Sequence, residues 1–280
     1  MESVIFLIVV ALVWLVFASI QDLKKREVAN WVNFSLIIFA LGFRFFYSLF
    51  NQNFNFLYQG LIGLGVFFIL GNLFYYSKLF AGGDAKLMIA LGAVLPFSGS
   101  ISTNLKIFLM FILLFLFAGG FYGFVWSIVL SLENFSSFKK EFTGYFRKNK
   151  IKICFAMCVG LMLMILGFLE IALFFFGVLI FFFSYLYVYT KAVDESCMVK
   201  RVFSKDLTEG DWLYEDVRVG GRLIKANWAG LSRDEISTIR KYKKKIKIRR
   251  GIPFVPVFLI SFAILLIFYF FGFNLWNSFW

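Results

Sequence analysis

Long apolar runs, broken at short intervals by polar connections, constrain this chain more than any other feature of its sequence. They extend from Val4 to Ile20, Val32 to Phe50, Leu57 to Ser77 and Ala85 to Phe97. Four more run from Ile107 to Leu130, Ile151 to Phe168, Ile171 to Tyr189 and Pro253 to Phe273. Most approach the roughly 20 apolar residues that cross a bilayer as a helix, which predicts an all-α polytopic membrane protein with about eight transmembrane helices. The fourth run is short, and the expectation there is a half-buried or tilted helix. Only 16% of the side chains are charged and 61% are hydrophobic, whereas soluble domains carry about 25% charged residues. A water-soluble globular enzyme and a disordered chain are thereby excluded. Histidine is absent, which removes a histidine base, a histidine-ligated metal and a haem ligand from consideration. Three cysteines cannot close a disulfide framework, and Cys154 and Cys158, four apart, read as small packing residues on one helix face.

The connections alternate in charge. Lys24, Lys25 and Arg26 follow the first run, whereas the segment 51–55 carries no charge. Lys78 and Lys86 flank the third turn, and the segment 98–104 is again uncharged. Segments 131–152 and 191–250 are rich in Lys and Arg, and the turn at 167–170 holds no base. The positive-inside rule puts every basic connection in the cytoplasm, so an even number of spans leaves both termini outside. The first run has Glu2 before it and its bases after it, the pattern of an N-out signal anchor rather than a cleavable signal. A net charge of +13 on such a face fits anionic lipid headgroups better than nucleic acid, which is not expected as a partner.

One stretch is polar enough to leave the membrane. Residues 191–252 form an expected small α+β cytoplasmic insert between a transmembrane core at 1–190 and a final helix with an outside tail at 253–280. Within it, Trp212–Val219 alternates as a strand does, and Gly220-Gly221 supplies a hairpin turn. Ser232 and Glu235 have the spacing of a capping box, which predicts a helix through Ile236 and Ile239 into the basic run Lys241–Arg250.

Ionisable side chains at membrane depth are costly and are therefore the first functional candidates. The acids at the span edges are Asp22, Glu27, Asp84 and Glu170, and Arg44 lies inside the second run. Arg44 reads as structural, since a long arginine can snorkel or pair. Asp22 follows the first span and Asp84 precedes the fourth, both on the cytoplasmic side of the expected topology. Taken singly, Asp22 is an interfacial acid paired with Lys25 or Arg26, and Asp84 is an N-cap for a helix beginning at Ala85. Jointly they are less ordinary. An acid at a helix C-terminus opposes the helix dipole, and Gly82-Gly83 before Asp84 clears room for a second backbone. Two carboxylates at one depth, one ionised and one protonated, are the groups an aspartyl protease uses.

The segments Asp22–Asn30 and Ala81-Gly-Gly-Asp-Ala-Lys86 resemble the prepilin peptidase family, membrane aspartyl proteases with a GxGD motif that archaea also use for preflagellin. Glu209-Gly210-Asp211, Gly230-Leu231-Ser232 with Asp234-Glu235, and Arg250–Pro256 are similar to the carboxy-terminal part of its archaeal members. Position by position, the resemblance makes Asp22 and Asp84 the catalytic pair. The first glycine of the motif is Ala81 here, a departure that bears on loop geometry and leaves the aspartate in place. The resemblance implies hydrolysis of a prepilin or preflagellin precursor at the boundary between its basic leader and its apolar helix, facing the cytoplasm, with no metal and no cofactor. The chain lacks the paired CxxC motifs of many bacterial relatives, so peptidase activity alone is expected. Its span count and insert look more like type IV prepilin peptidases than preflagellin enzymes. Two other classes stand beside this reading: an ion or proton-coupled transporter relaying through Asp22 and Asp84, and a structural anchor for pilus assembly.

Overall fold

The computed structural model describes residues 2–228, 230–243 and 245–271. It is a mostly helical, multi-pass membrane protein, and the chain divides into two compact units, residues 1–124 with 252–280 and residues 125–251. The first unit holds α1 (Glu2–Lys25), α2 (Asn30–Phe50), α3 (Asn55–Tyr76), α4 (Gly82–Gly92), the start of α5 (Ile101–Glu133) and, last in order, α10 (Val255–Phe271). Its interior is a continuous apolar cluster that includes Leu7, Leu15, Leu36, Phe67, Leu87, Phe111, Phe115, Phe258 and Phe262.

Helices α1, α2, α3, α5 and the stretch Ile171–Met198 are each long and apolar enough to cross a membrane. Helix α6 (Phe135–Lys148) and α7 (Lys150–Leu166) pass the same test only as a pair bent by 79°. Among the described residues that gives five candidate spans, or six with the bent pair. The expected count of eight differs for reasons of length. The fourth run folds as the 11-residue α4, about 16 Å at 1.5 Å per residue, and α7 and the described part of α10 have 17 residues each. The expected outside tail falls largely on residues 272–280, outside the described residues.

The short turns between the first four helices use the left-handed region without glycine. Arg26, Gln52 and Lys78 have φ of 58°, 48° and 63°. At the end of α3, Leu79 N donates to Phe74 O at 3.0 Å and Lys78 N to Tyr75 O at 3.0 Å, the two bonds of a Schellman motif. No glycine marks these stops in the sequence.

α4 ends in the interior, and that end needs partners. Residues 93–97 leave the helix while staying buried, because Pro96 disfavours helical backbone before it. Their carbonyls are met by Arg44, itself fully buried. Its guanidinium donates to Ala93 O at 2.9 Å, Val94 O at 3.1 Å, Pro96 O at 2.7 Å and Phe56 O at 2.9 Å. The cation thus closes the negative end of a half-length helix, and the structural reading of Arg44 holds. Glycines allow α3 and α4 to meet at this depth: a Cβ on Gly63 would overlap the Gly92 carbonyl and stand 2.6 Å from Pro96 Cγ.

The second unit holds the remainder of α5, α6, α7, α8 (Ile171–Val193), α9 (Arg233–Tyr242) and the strands β1 (Val199–Phe203), β2 (Trp212–Leu213), β3 (Val217–Val219), β4 (Arg222–Ile224) and β5 (Lys245–Arg249). Gly160 on α7 and Gly177 on α8 pack backbone to backbone. Cys154 and Cys158 are exposed on α7 rather than packed inside. The hairpin β3–β4 turns at Gly220 and Gly221, both with positive φ, with Val219 facing Arg222. Ser232 and Glu235 form the expected capping box at the start of α9. The basic run does not continue that helix. α9 stops at Tyr242, and Lys245-Ile-Lys-Ile-Arg249 becomes the central strand of the sheet β1–β5–β2. The reason is its period of two: Ile246 and Ile248 point into the core with Leu213, Ile236 and Ile239, and the charged residues point away. Where α8 runs into this region, Tyr214 Oη donates to Glu195 at 2.6 Å. That bond pushes the phenol pKa up to about 12.

Candidate active site

Asp22 lies in the last turn of α1, where the dipole of its own helix disfavours a carboxylate. The fold supplies the compensation from elsewhere. Asp22 is 6% exposed, and its Oδ2 accepts from the backbone N–H of Val255 at 2.9 Å. The backbone N–H of Phe254 is near enough to act on the carboxylate as well. Both groups belong to the start of α10, whose positive end therefore faces the carboxylate. The charge of Arg26, just past the end of α1, also acts on it. Asp22 is thus more than an interfacial acid paired along its own helix.

Asp84 is not the N-cap of a helix starting at Ala85. α4 begins at Gly82, with Ala81 extended at the N-cap, and Asp84 is the third helical residue. From this position, the third of a capping box, the side chain is acted on by the N–H of Ala81. Asp84 is half-buried, and the charge of Asp22 acts on it directly. Two aspartates 62 positions apart in the chain thus share one electrostatic environment, each at the positive end of a helix.

The residues around the pair hold the backbone in place. Asn33 of α2 is buried and its Nδ2 reaches Gly83 O at 3.4 Å. Gln21 of α1 accepts from Ala29 N at 3.2 Å, tying the end of α1 to the start of α2. Lys86 turns to Asn30, with Nζ 2.7 Å from its Oδ1, so its bond is to α2. Glycine leaves open space here: a Cβ on Gly83 would lie 3.8 Å from Val28 and one on Gly82 3.8 Å from Tyr75. Tyr122 of α5 also feels the charges of Asp22 and Arg26, which nothing in the sequence marked. Among the described residues, no group of three or more carboxylate, thiol or imidazole side chains is placed to hold a metal ion.

The opposite face of α4 lines a cavity of about 700 Å³. Gly82, Ala85, Lys86 and Ile89 recur at the spacing of one helix face and meet Ile37 of α2 and Leu64 of α3 there. Asp84 is off that face, so α4 separates the acids from the cavity. Of the other residues that carried the family resemblance, Glu209–Asp211 and Gly230–Ser232 come together inside the second unit. Gly210 N donates to Leu231 O at 2.9 Å and Leu231 N to Asp211 O at 2.9 Å. Gly230, with φ of 79°, leaves no room for a Cβ against the Gly210 carbonyl. These motifs hold two loops together, and the stretch Arg250–Pro256 delivers the N–H groups that reach Asp22.

Residues 9–128 match the type IV leader peptidase family. The preflagellin peptidase of Methanocaldococcus jannaschii is 36% identical over 88 residues, 31% of this chain and 37% of that protein. Those of Methanococcus maripaludis and Methanococcus voltae are 33% and 30% identical over 82 and 87 residues, 29% and 31% of this chain and 35% and 37% of theirs. The chain thus spans little more than a third of the length of the curated relatives it matches. No solved structure matches it. The stretch containing both aspartate motifs is therefore similar to the type IV leader peptidase family, the resemblance that the residues themselves carry.

Proposed function

We propose that this protein is an aspartic endopeptidase that removes the short basic leader from type IV prepilin-like precursors at the cytoplasmic membrane surface, with Asp22 and Asp84 as its catalytic pair. The observation that carries the reading is the shared environment of these two acids, Asp22 against the start of α10 and Asp84 under the influence of its charge. An ionised carboxylate takes a proton from water, and a protonated one gives a proton to the scissile carbonyl. No metal or cofactor enters this chemistry. In this reading residues 1–190 with the last helix are the catalytic membrane part, and 191–252 are a cytoplasmic insert between them. The basic connections then lie against anionic headgroups. A second substrate, preflagellin, is favoured by the names of the three methanogen relatives.

The test is cleavage by the purified protein of a panel of prepilins and preflagellins. Asp22→Asn and Asp84→Asn should each abolish cleavage at matched membrane levels. Substantial turnover by either variant rejects the pair. Intact precursors together with proton or ion flux through proteoliposomes would favour the transporter class instead.

A further inference from the structure

The two aspartates are not equivalent in their surroundings, and the difference bears on which of them is the base. Resting on the aspartic-peptidase reading above, we propose that Asp22 is the ionised member that activates water, held in that state by the first N–H groups of α10, and that Asp84 is the protonated member.

A helix leaves its first N–H groups without partners inside the helix. At α10 the supply is small. Pro253 and Pro256 have none to give, and Val257 N is bonded to Phe254 O at 3.0 Å. Val255 and Phe254 remain, and both act on Asp22. An ionised carboxylate is an acceptor only, so the Val255 N–H and the positive end of a helix suit that form. The charged and titratable groups acting around Asp22 are Arg26 beyond α1, Asp84 of α4 and Tyr122 of α5. At this end α10 contributes backbone. The backbone group that acts on Asp84 is Ala81 of its own helix turn, and the carboxyl of Asp22 is near enough to act on it as well.

The proton ledger closes on this assignment. Asp22 takes a proton from water as the oxygen bonds to the scissile carbonyl carbon, and Asp84 delivers its proton to the carbonyl oxygen. On collapse, Asp22 passes its new proton to the leaving nitrogen as the C–N bond breaks. Asp84 recovers a proton from a hydroxyl of the tetrahedral intermediate as the carbonyl re-forms. Val255 acts through Asp22 and is a positioning residue.

The full-length protein carrying a single aspartate of the pair gives the test, since its remaining acid can be titrated by isotope-edited infrared spectroscopy whether or not it cleaves substrate. Asp22 in the Asp84→Asn protein should deprotonate at lower pH than Asp84 in the Asp22→Asn protein. Val255→Pro places proline at the first helical position, where the helix tolerates it, and removes the N–H. In the Asp84→Asn background it should raise the deprotonation pH of Asp22 by about one to two pH units, the scale of one hydrogen bond to a charged group. Val255→Ala keeps the N–H and should leave that pH in place. In the otherwise intact enzyme, Val255→Pro should shift the acid limb of the pH–rate profile upward and lower kcat more than it changes KM. The assignment is overturned if Asp84 deprotonates first or together with Asp22, or if Val255→Pro produces no shift. If Val255→Pro does not fold, the order of the two single-aspartate titrations still decides. Loss of cleavage in both Asp→Asn proteins with the reverse order rejects only the roles, whereas cleavage by either protein rejects the aspartic reading itself.

Discussion

At the scale of the residue, Arg44 and Gly83 do opposite work: one fills a space with donors, the other keeps a space clear. Arg44 satisfies three carbonyls of the segment that leaves α4 and one in the first turn of α3. Arg44→Met should leave several buried carbonyls unpaired, each costing about 1–3 kcal/mol. A lower thermal midpoint in detergent is the expected readout, with Arg44→Lys intermediate because its ammonium has three donors. An unchanged midpoint in Arg44→Met would mean those carbonyls have other partners. Gly83 makes a graded prediction. The 3.8 Å to Val28 is ordinary contact distance for a Cβ, so Gly83→Ala should fit. Gly83→Val adds two branches toward Val28 and should disturb the turn before Asp84. A displacement of about 1 Å at a catalytic group costs about a hundredfold in rate. Cleavage by Gly83→Val at the parent rate would show that the site tolerates the crowding.

At the scale of the element, α4 is the decisive piece. It is too short to span, it starts at Gly82 with Asp84 in its first turn, and it stops against Arg44. Its depth is fixed by the crossing with α3 at Gly63 and Gly92, where backbone meets backbone. Gly63→Ala should therefore force the two helices apart, at about 1–3 kcal/mol for overpacking, and lower cleavage by moving Asp84. Gly65→Ala is the control on the same helix, since a Cβ there meets nothing within 4 Å. It should leave the thermal midpoint equal or higher. Equal melting of both variants would show that the crossing is looser than the backbone contact implies. β5 teaches a different lesson about elements. Its lysines suggested a continuing helix, yet the alternating isoleucines make it the central strand of a sheet. Period outweighed composition there.

At the scale of the whole molecule, the charge alternation predicts that Lys24, Lys148 and Lys241 all face the cytoplasm and that the amino terminus faces out. Single-cysteine labelling in a cysteine-free background, with a reagent that does not cross membranes, checks this in intact cells and in inverted vesicles. Labelling of position 148 from outside would mean that the bent pair α6–α7 does not arrange its ends as the charge pattern requires.

The sequence by itself determined the helical, multi-pass class, because hydropathy over about twenty residues is a local property that no later contact reverses. It also determined the capping box at Ser232 and the turn at Gly220-Gly221, whose chemistry lies within four residues. The two aspartates were legible as candidates because a charge at a membrane edge stands out and the flanking glycines reinforced Asp84. Their environment was not legible. That Asp22 is served by Val255, 233 positions away, follows from how α1, α4 and α10 pack, and apolar helix faces carry little information about their partners. The stops after α1, α2 and α3 were equally hidden, since Arg26, Gln52 and Lys78 adopt left-handed backbone that their side chains do not announce. Local chemistry set the pieces, and long-range packing decided which backbone N–H groups each acid would meet.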